Sequence, residues 1–456
     1  MATISSPGIG SGLDVSSIIT QLMAIERQPL KQLETAETKI QSQISEVGKI
    51  KSALSKFRDV AAKLASTDFW RTTTGKSNSS AVGVTTSSTA SPASFAVEVT
   101  SLAKAQTIAA PALASSSTTL GSGTLTIQST GGGAPFDVAI EATDTLAGIR
   151  DKINAAGAGV TASILTDASG ARLVMRANAT GTDNAFNTTV SGTGLDGLSF
   201  NAATQTGGAT PAQPAANLVA TVNNLPVSSA SNTLTDVFDG VTLTMTAETA
   251  GPVTIDVAAD TETLKKTLTE FATAYTELSK LIVTDTKYDA TAKKAGALQG
   301  DSAIVGLQNR LRSMLGASSG ASTAYARLSD VGFEMQQDGS LTVNSTKLDK
   351  AIANLSELKA LFSNSSLTDA NLDGFGKRFR VVASDILGID GALTSRTTGL
   401  NDKLKRNQTS QDRMEERLAQ TQKRLEKQYS MLDAKLGTLN GLSTYVTNQV
   451  AQWNKA

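Results

Sequence analysis

LETAETKIQSQISEVGKIKSALSKFRDVAAKL (33–64) places Leu33, Ala36, Ile40, Gln43, Val47, Ile50, Leu54, Phe57, Ala61 and Leu64 at alternating steps of three and four. That spacing keeps one row of side chains on one side of an α-helix, and such a row needs a second surface to cover it. Gln43 is its one polar member. A partner stands at the other end of the chain, where Leu404, Gln411, Leu418, Leu425, Leu432, Leu439, Val446 and Trp453 recur every seventh residue. The companion row there (Asn407, Met414, Thr421, Gln428, Lys435, Leu442) is too polar for a strong coil. The last 50 or so residues are therefore expected to be marginal alone and to order when another surface covers them.

Upstream, SGLDVSSIITQLMAIERQPL (11–30) reads as a capped helix. Asp14 is the N-cap, Ser17 stands at N3, Leu13 can staple onto Ile18, and Pro29 breaks or kinks the helix. It does not read as a secretory signal, because the first basic residue, Arg27, follows the apolar Ile18, Ile19, Leu22 and Met23.

The 456 residues leave room for about three domains. They include no histidine and no cysteine, which removes the commonest general base, the commonest metal ligand and the thiol nucleophile. Formal charge is zero, with 41 residues of each sign, so there is no basic field for nucleic acid. No apolar run approaches the roughly 20 residues of a membrane span. Only about 20 of the charged residues fall between Arg71 and Asp260, a window rich in Ser, Thr, Gly, Ala and Val, as turn-rich β-structure requires. Helix, then strands, then helix predicts an α+β multidomain fold: a discontinuous coiled-coil and bundle stalk from both chain ends, with two inserted β-rich subdomains.

Inside the window, SFAVEV (94–99) is a strand, and GTLTIQ (123–128) and FDVAIE (136–141) flank the turn at Gly131, Gly132 and Gly133. A helix follows, with Leu146, Ile149 and Ile153 on one face, Thr143 or Asp144 as cap and Gly157 or Gly159 as stop. Strands around Val160–Ile164 and Leu173–Met175 then complete a ββαββ unit, weakly echoed by 232–246, and 253–257 is the last strand of the window. Residues 201–216 read as a loop. From Thr261 an apolar stripe (Leu264, Leu268, Phe271, Tyr275, Leu278, Ile282) marks a helix. Another runs from Ile304 to Leu315, a hairpin turns at Asp338 and Gly339, and a single helix is expected through Leu348, Ile352 and Leu355.

Motifs that resemble chemistry read as structure. GIGSG (8–12) lacks a preceding strand and the last glycine of a dinucleotide fingerprint. DANLDG (369–374) begins like a calcium loop, but its twelfth position is Arg380 where a glutamate should stand. Glu415 and Glu416 lie among Arg413, Arg417, Lys423 and Arg424, a solvated helix face. No nucleophile is grouped with a base, so neither an enzyme nor a cofactor is expected.

Several blocks together resemble the family of bacterial flagellar filament cap proteins, also described as flagellar hook-associated protein 2. They are SSPGIGSGLDVSSIITQLMAIERQPL (5–30), SFAVEVTSLAKAQTIA (94–109), the 144–181 module shared among flagellar axial proteins, FATAYTELSKLIVTDTKYD (271–289), LSDVGFEMQQDGSLTVNSTKL (328–348) and the segment beginning GALTSRTTGLNDKLKRNQ at Gly391. The resemblance implies secretion through the flagellum's own type III pathway and a place outside the cell, at the distal tip of the filament. It also implies a ring-like homo-oligomer, a pentamer as first expectation, with a plate of β domains and helical legs. Flagellin would be retained beneath the plate while it folds. Hook–filament junction proteins, and a cytoplasmic export chaperone on the C-terminal helices, would be further partners. The implied division is a leg (1–41, 405–456), a helical bundle with a hairpin (42–70, 261–404), a β-rich head (71–108, 217–260) and an outer head with one helix (109–216). Leu13, Ile18, Ile19, Leu22 and Ile25 would then meet Leu432, Leu439, Leu442 and Val446, or filament subunits. The terminal coils also fit a hook–filament junction or other axial protein, and residues 106–216 could present an adhesive surface.

Overall fold

A computed structural model describes residues 14–291 and 293–453. Among these, the α-helices are α1 (Val15–Glu26), α2 (Gln28–Ala65), α3 (Leu146–Ala156), α4 (Thr261–Thr286), α5 (Ser302–Gly316), α6 (Ser345–Ala353), α7 (Leu355–Ser363), α8 (Phe375–Leu387) and α9 (Ala392–Trp453). The chain divides into two units. One comprises the residues up to Thr67 with those from Thr263 on, the other Asp68–Glu262.

In the helical unit the seam of α2 behaves as its spacing predicts. Val47, Ile50, Leu54, Phe57, Ala61 and Leu64 are buried, and Leu33, Ala36, Ile40 and Gln43 are half-buried. Phe57 sits in an aromatic cluster, with ring centroids 5.0 Å from Phe271, 5.9 Å from Tyr275 and 5.3 Å from Phe379. Phe271 also touches Phe333 and Phe362. The polar member of the seam has a partner: Gln43 Nε2 donates to the Ala297 carbonyl at 3.1 Å. Where α2 meets α9, Asn407 Nδ2 donates to Leu33 O, and Gln408 and Gln411 donate to the Glu37 carboxylate.

The Asp338–Gly339 hairpin forms with Gly339 at φ +82°, and Thr276 of α4 bonds both the N–H and the C=O of Leu341. The helix expected through Leu355 is instead two, α6 and α7, because Asn354 leaves helical geometry at φ −111°, ψ 65°. Both α2 and α9 run unbroken past 41 and 404, so those expected divisions fall inside helices.

Two carboxylates of this unit are shifted in opposite directions. Glu357 accepts from the Ser322 hydroxyl and from the N–H groups of Ala324 and Thr323, which lower its pKa to about 2. Asp285 is buried, and its Oδ2 has no hydrogen-bond partner among the described residues. Burial, with Glu46 beside it, raises its pKa, while Lys49 opposes the shift. A raised carboxylate binds its proton more tightly folded than unfolded, so the ionised form costs stability at neutral pH. That cost vanishes as pH falls through the raised value. Asp285→Asn is therefore expected to raise the melting temperature at pH 7 by a few degrees, with the gain shrinking toward acid. Calorimetry at both pH values checks this; a midpoint unchanged or lowered at pH 7 contradicts it.

The β unit is antiparallel throughout its named strands and has two apolar clusters. In one, a five-stranded sheet (Thr73–Ser77, Val253–Ala259, Ala93–Ser101, Leu218–Val222, Leu225–Ser229, in that order) and a three-stranded sheet (Thr233–Phe238, Val241–Met245, Val82–Thr86) enclose Phe95, Val97, Val99, Leu243, Met245 and Ile255. In the other, the ββαββ order appears as expected, but its hairpins part company. Ser122–Ser129 and Phe136–Ile140 join a five-stranded sheet, whereas Val160–Asp167 and Gly170–Ala177 join a four-stranded one, with α3 packed against the strands of both. The cap of α3 is Thr145 rather than Thr143 or Asp144, and Gly157 ends the helix at φ +66°. Residues 201–216 are not a plain loop: Thr206–Gly207 and Thr210–Gln213 add edge strands to the two sheets.

Side-chain amides replace ladder bonds where the sheets turn away. Buried Gln106 accepts from Phe186 N–H at 2.6 Å and donates to Phe186 O at 3.0 Å. Asn232 serves Ala103 in the same way. Gln106→Leu would strand both groups of Phe186, costing about 2 to 4 kcal/mol. Denaturant titration should show the loss; a smaller change than 1 kcal/mol would mean that water or neighbours take over those bonds.

Candidate assembly interface

The C-terminal part of α9 combines two properties. From Leu436 to Trp453 it carries no Asp, Glu, Lys or Arg. At about 100° per residue, Leu432, Leu439, Val446, Val450 and Trp453 fall within roughly 60° of arc, and Leu442, Met431 and Tyr445 widen the stripe to roughly 140°. All eight are exposed, Leu439 by 60% and Trp453 by 71%. The stripe from Met431 to Trp453 is roughly 33 Å long at a rise of about 1.5 Å per residue. Exposed single apolar residues are ordinary, but a continuous face of this kind marks a surface made to be covered.

Helix α1 begins where Asp14 Oδ1 accepts the Ser17 N–H at 2.9 Å. It ends at Arg27, and Pro29 stands in the first turn of α2, where its missing N–H costs nothing. Its buried side is Val15, Ile19 and Met23, which with Leu30 form a cluster around Leu418, flanked by Met414, Leu425 and Tyr429.

The expected interface residues therefore separate. Ile19, 9% exposed, is covered within the chain, and the part of α9 it joins is 414–429 rather than 432–446. Ile18 and Leu22 are half-buried, Ile25 is 65% exposed, and Leu432, Leu439, Leu442 and Val446 are all exposed. Leu13 lies outside the described residues, as does the GIGSG stretch. Met431, Tyr445 and Val450 join the face without having been singled out in the sequence, although their positions beside the heptad rows carry the signal.

The calcium-like motif is a turn: Asp369 caps Ala370–Leu372, and Asp373 pairs with Lys377 at 2.8 Å. Among the described residues no group of three or more metal-ligating side chains comes together, and no helix is long and apolar enough to cross a membrane.

Two terminal helical segments joined in one unit, a β unit inserted between them in sequence, and an exposed apolar helix end characterise this architecture, and the comparisons identify its family. The chain matches the families described as flagellar hook-associated protein 2 N-terminus (residues 11–106), flagellar hook-associated protein 2 C-terminus (residues 215–441) and flagellin hook IN motif (residues 124–179). It is 30% identical over 470 residues to flagellar hook-associated protein 2 of Escherichia coli, covering 98% of each chain. It is 31% identical over 474 residues to B-type flagellar hook-associated protein 2 of Pseudomonas aeruginosa, covering 99% of this chain and 98% of that one. The crystal structure of the flagellar cap protein FliD D1-D2-D3 domains from Escherichia coli matches with a TM-score of 0.65 at 30% identity, covering 78% of this chain and 99% of that one. The chain belongs to the flagellar hook-associated protein 2 family.

Proposed function

We infer that this chain caps the flagellar filament: it holds the distal tip outside the cell, retains exported flagellin and promotes its folding and insertion so that the filament elongates. The observation that carries the role of the chain ends is the exposed apolar face from Met431 to Trp453, uncharged from Leu436 onward. In this reading 1–41 with 405–456 form the leg, 42–70 with 261–404 the bundle, 71–108 with 217–260 the inner head and 109–216 the outer head. Ile18, Leu22, Ile25, Leu432, Leu439, Leu442 and Val446 contact filament subunits or a second copy, and Ile19 supports them from beneath. The chain works as a ring-like homo-oligomer, five subunits being the stoichiometry to test. It meets hook–filament junction proteins before elongation begins, and an export chaperone covers the C-terminal helices inside the cell. Its work is mechanical, with each step drawing on the folding and burial of flagellin.

Removal of residues 1–30 and 430–456 tests this. The truncated protein should stay folded yet fail to cap, so that flagellin is lost to the medium as monomer. Normal filament elongation by the truncated form would overturn the role given to the chain ends.

A further inference from the structure

In the β unit, strand Val160–Asp167 is the last of its four-stranded sheet, paired on one side to Gly170–Ala177. Ala171, Leu173 and Ala177 of that neighbour bond away from it, to Leu113, Ala110 and Gln106. By the alternation of an antiparallel ladder, the N–H and C=O groups of Ala162, Ile164 and Thr166 then point off the sheet. Open edges of this kind invite another strand, and parts of this unit's edges are dressed against it. Asn154 of α3 takes both groups of Ala162, at 2.7 and 2.9 Å. Lys152 donates to Ala139 O on the edge strand Phe136–Ile140. Pro226 interrupts the edge strand Leu225–Ser229. At Ile164 and Thr166 no such group arrives among the described residues, and Leu165 between them is 52% exposed.

We propose that this edge pairs antiparallel with the same edge of a second copy of this chain, about a two-fold axis through Leu165. Ile164 then lies opposite Thr166 of the copy and exchanges two N–H···O bonds with it, and the mirror pair does the same. Leu165 meets Leu165 as the close, non-hydrogen-bonded pair, with Cα atoms about 4.5 Å apart, covering the exposed side chain. The strand is self-complementary in charge as well. Residues 160–166 carry none, and Asp167 is balanced within its own hairpin by Arg172 at 3.0 Å, so an identical strand meets no repulsion.

The absence of cysteine gives a clean test in the full chain. Under mild oxidation Leu165→Cys should form a disulfide-linked dimer at least tenfold faster than Thr161→Cys, which is exposed on the same face but far from its own copy in this register. A mixture of Ser163→Cys and Asp167→Cys copies should cross-link to each other in preference to themselves. Equal rates for Leu165→Cys and Thr161→Cys, or no preference in the mixture, would overturn the proposal.

Discussion

Replacing Leu432, Leu439, Leu442 and Val446 together by serine is expected to abolish capping while leaving the fold intact. All four are exposed, so their loss removes little from the chain's own core. On docking, each would lose the remaining half of its apolar surface to a neighbour, about 1 kcal/mol apiece. Four such losses amount to about 4 kcal/mol, or roughly a thousandfold in binding at the tip. Flagellin monomer in the medium and filament length are the readouts, with thermal unfolding as the control. Filaments of normal length would show that this face is not the attachment surface.

Phe271→Ala carries the largest expected cost to stability. Phe271 is fully buried and its ring meets Phe57, Phe333, Phe362 and Phe379, residues from three other helices and the hairpin. Truncating a phenylalanine so placed costs about 3 to 5 kcal/mol, partly transfer and partly the cavity left behind. That is a large share of the roughly 5 to 15 kcal/mol that holds a domain together. All of these partners belong to the helical unit, so the transition of the β unit should stay where it is while the helical transition falls steeply. A loss below 1.5 kcal/mol would mean that the cluster collapses around the gap.

Both predictions rest on features of unequal legibility. The α2 seam could be read from spacing alone because helical periodicity is local, and the stripe of α4 followed for the same reason. Asn354 was harder. The apolar residues on either side keep a helical rhythm, and only the asparagine's local geometry divides α6 from α7. In the β unit the hairpins were visible from their turns, but their assignment to different sheets was not, since strand order depends on partners far away in sequence, such as Ala109 with Thr210. The amides of Gln106, Asn154 and Asn232 gave no sequence signal, because what they bond is fixed only when distant backbone arrives. At the interface, the heptad rows located the exposed end of α9. They could not show that Ile19 is covered by the Leu418 cluster, since a helix with apolar residues on two sides does not declare which side faces its own chain.

The two tryptophans offer the most direct measurement, because Trp70 is 3% exposed and Trp453 lies at the end of the bare face. In a Trp70→Phe background, acrylamide quenching of Trp453 is recorded for the free chain and again after addition of sheared flagellar filaments, with the filaments' own emission subtracted. Docking of this face predicts a several-fold fall in quenching and a blue shift as the indole leaves water. Filaments that become capped while Trp453 stays as open to the quencher as before would contradict the account.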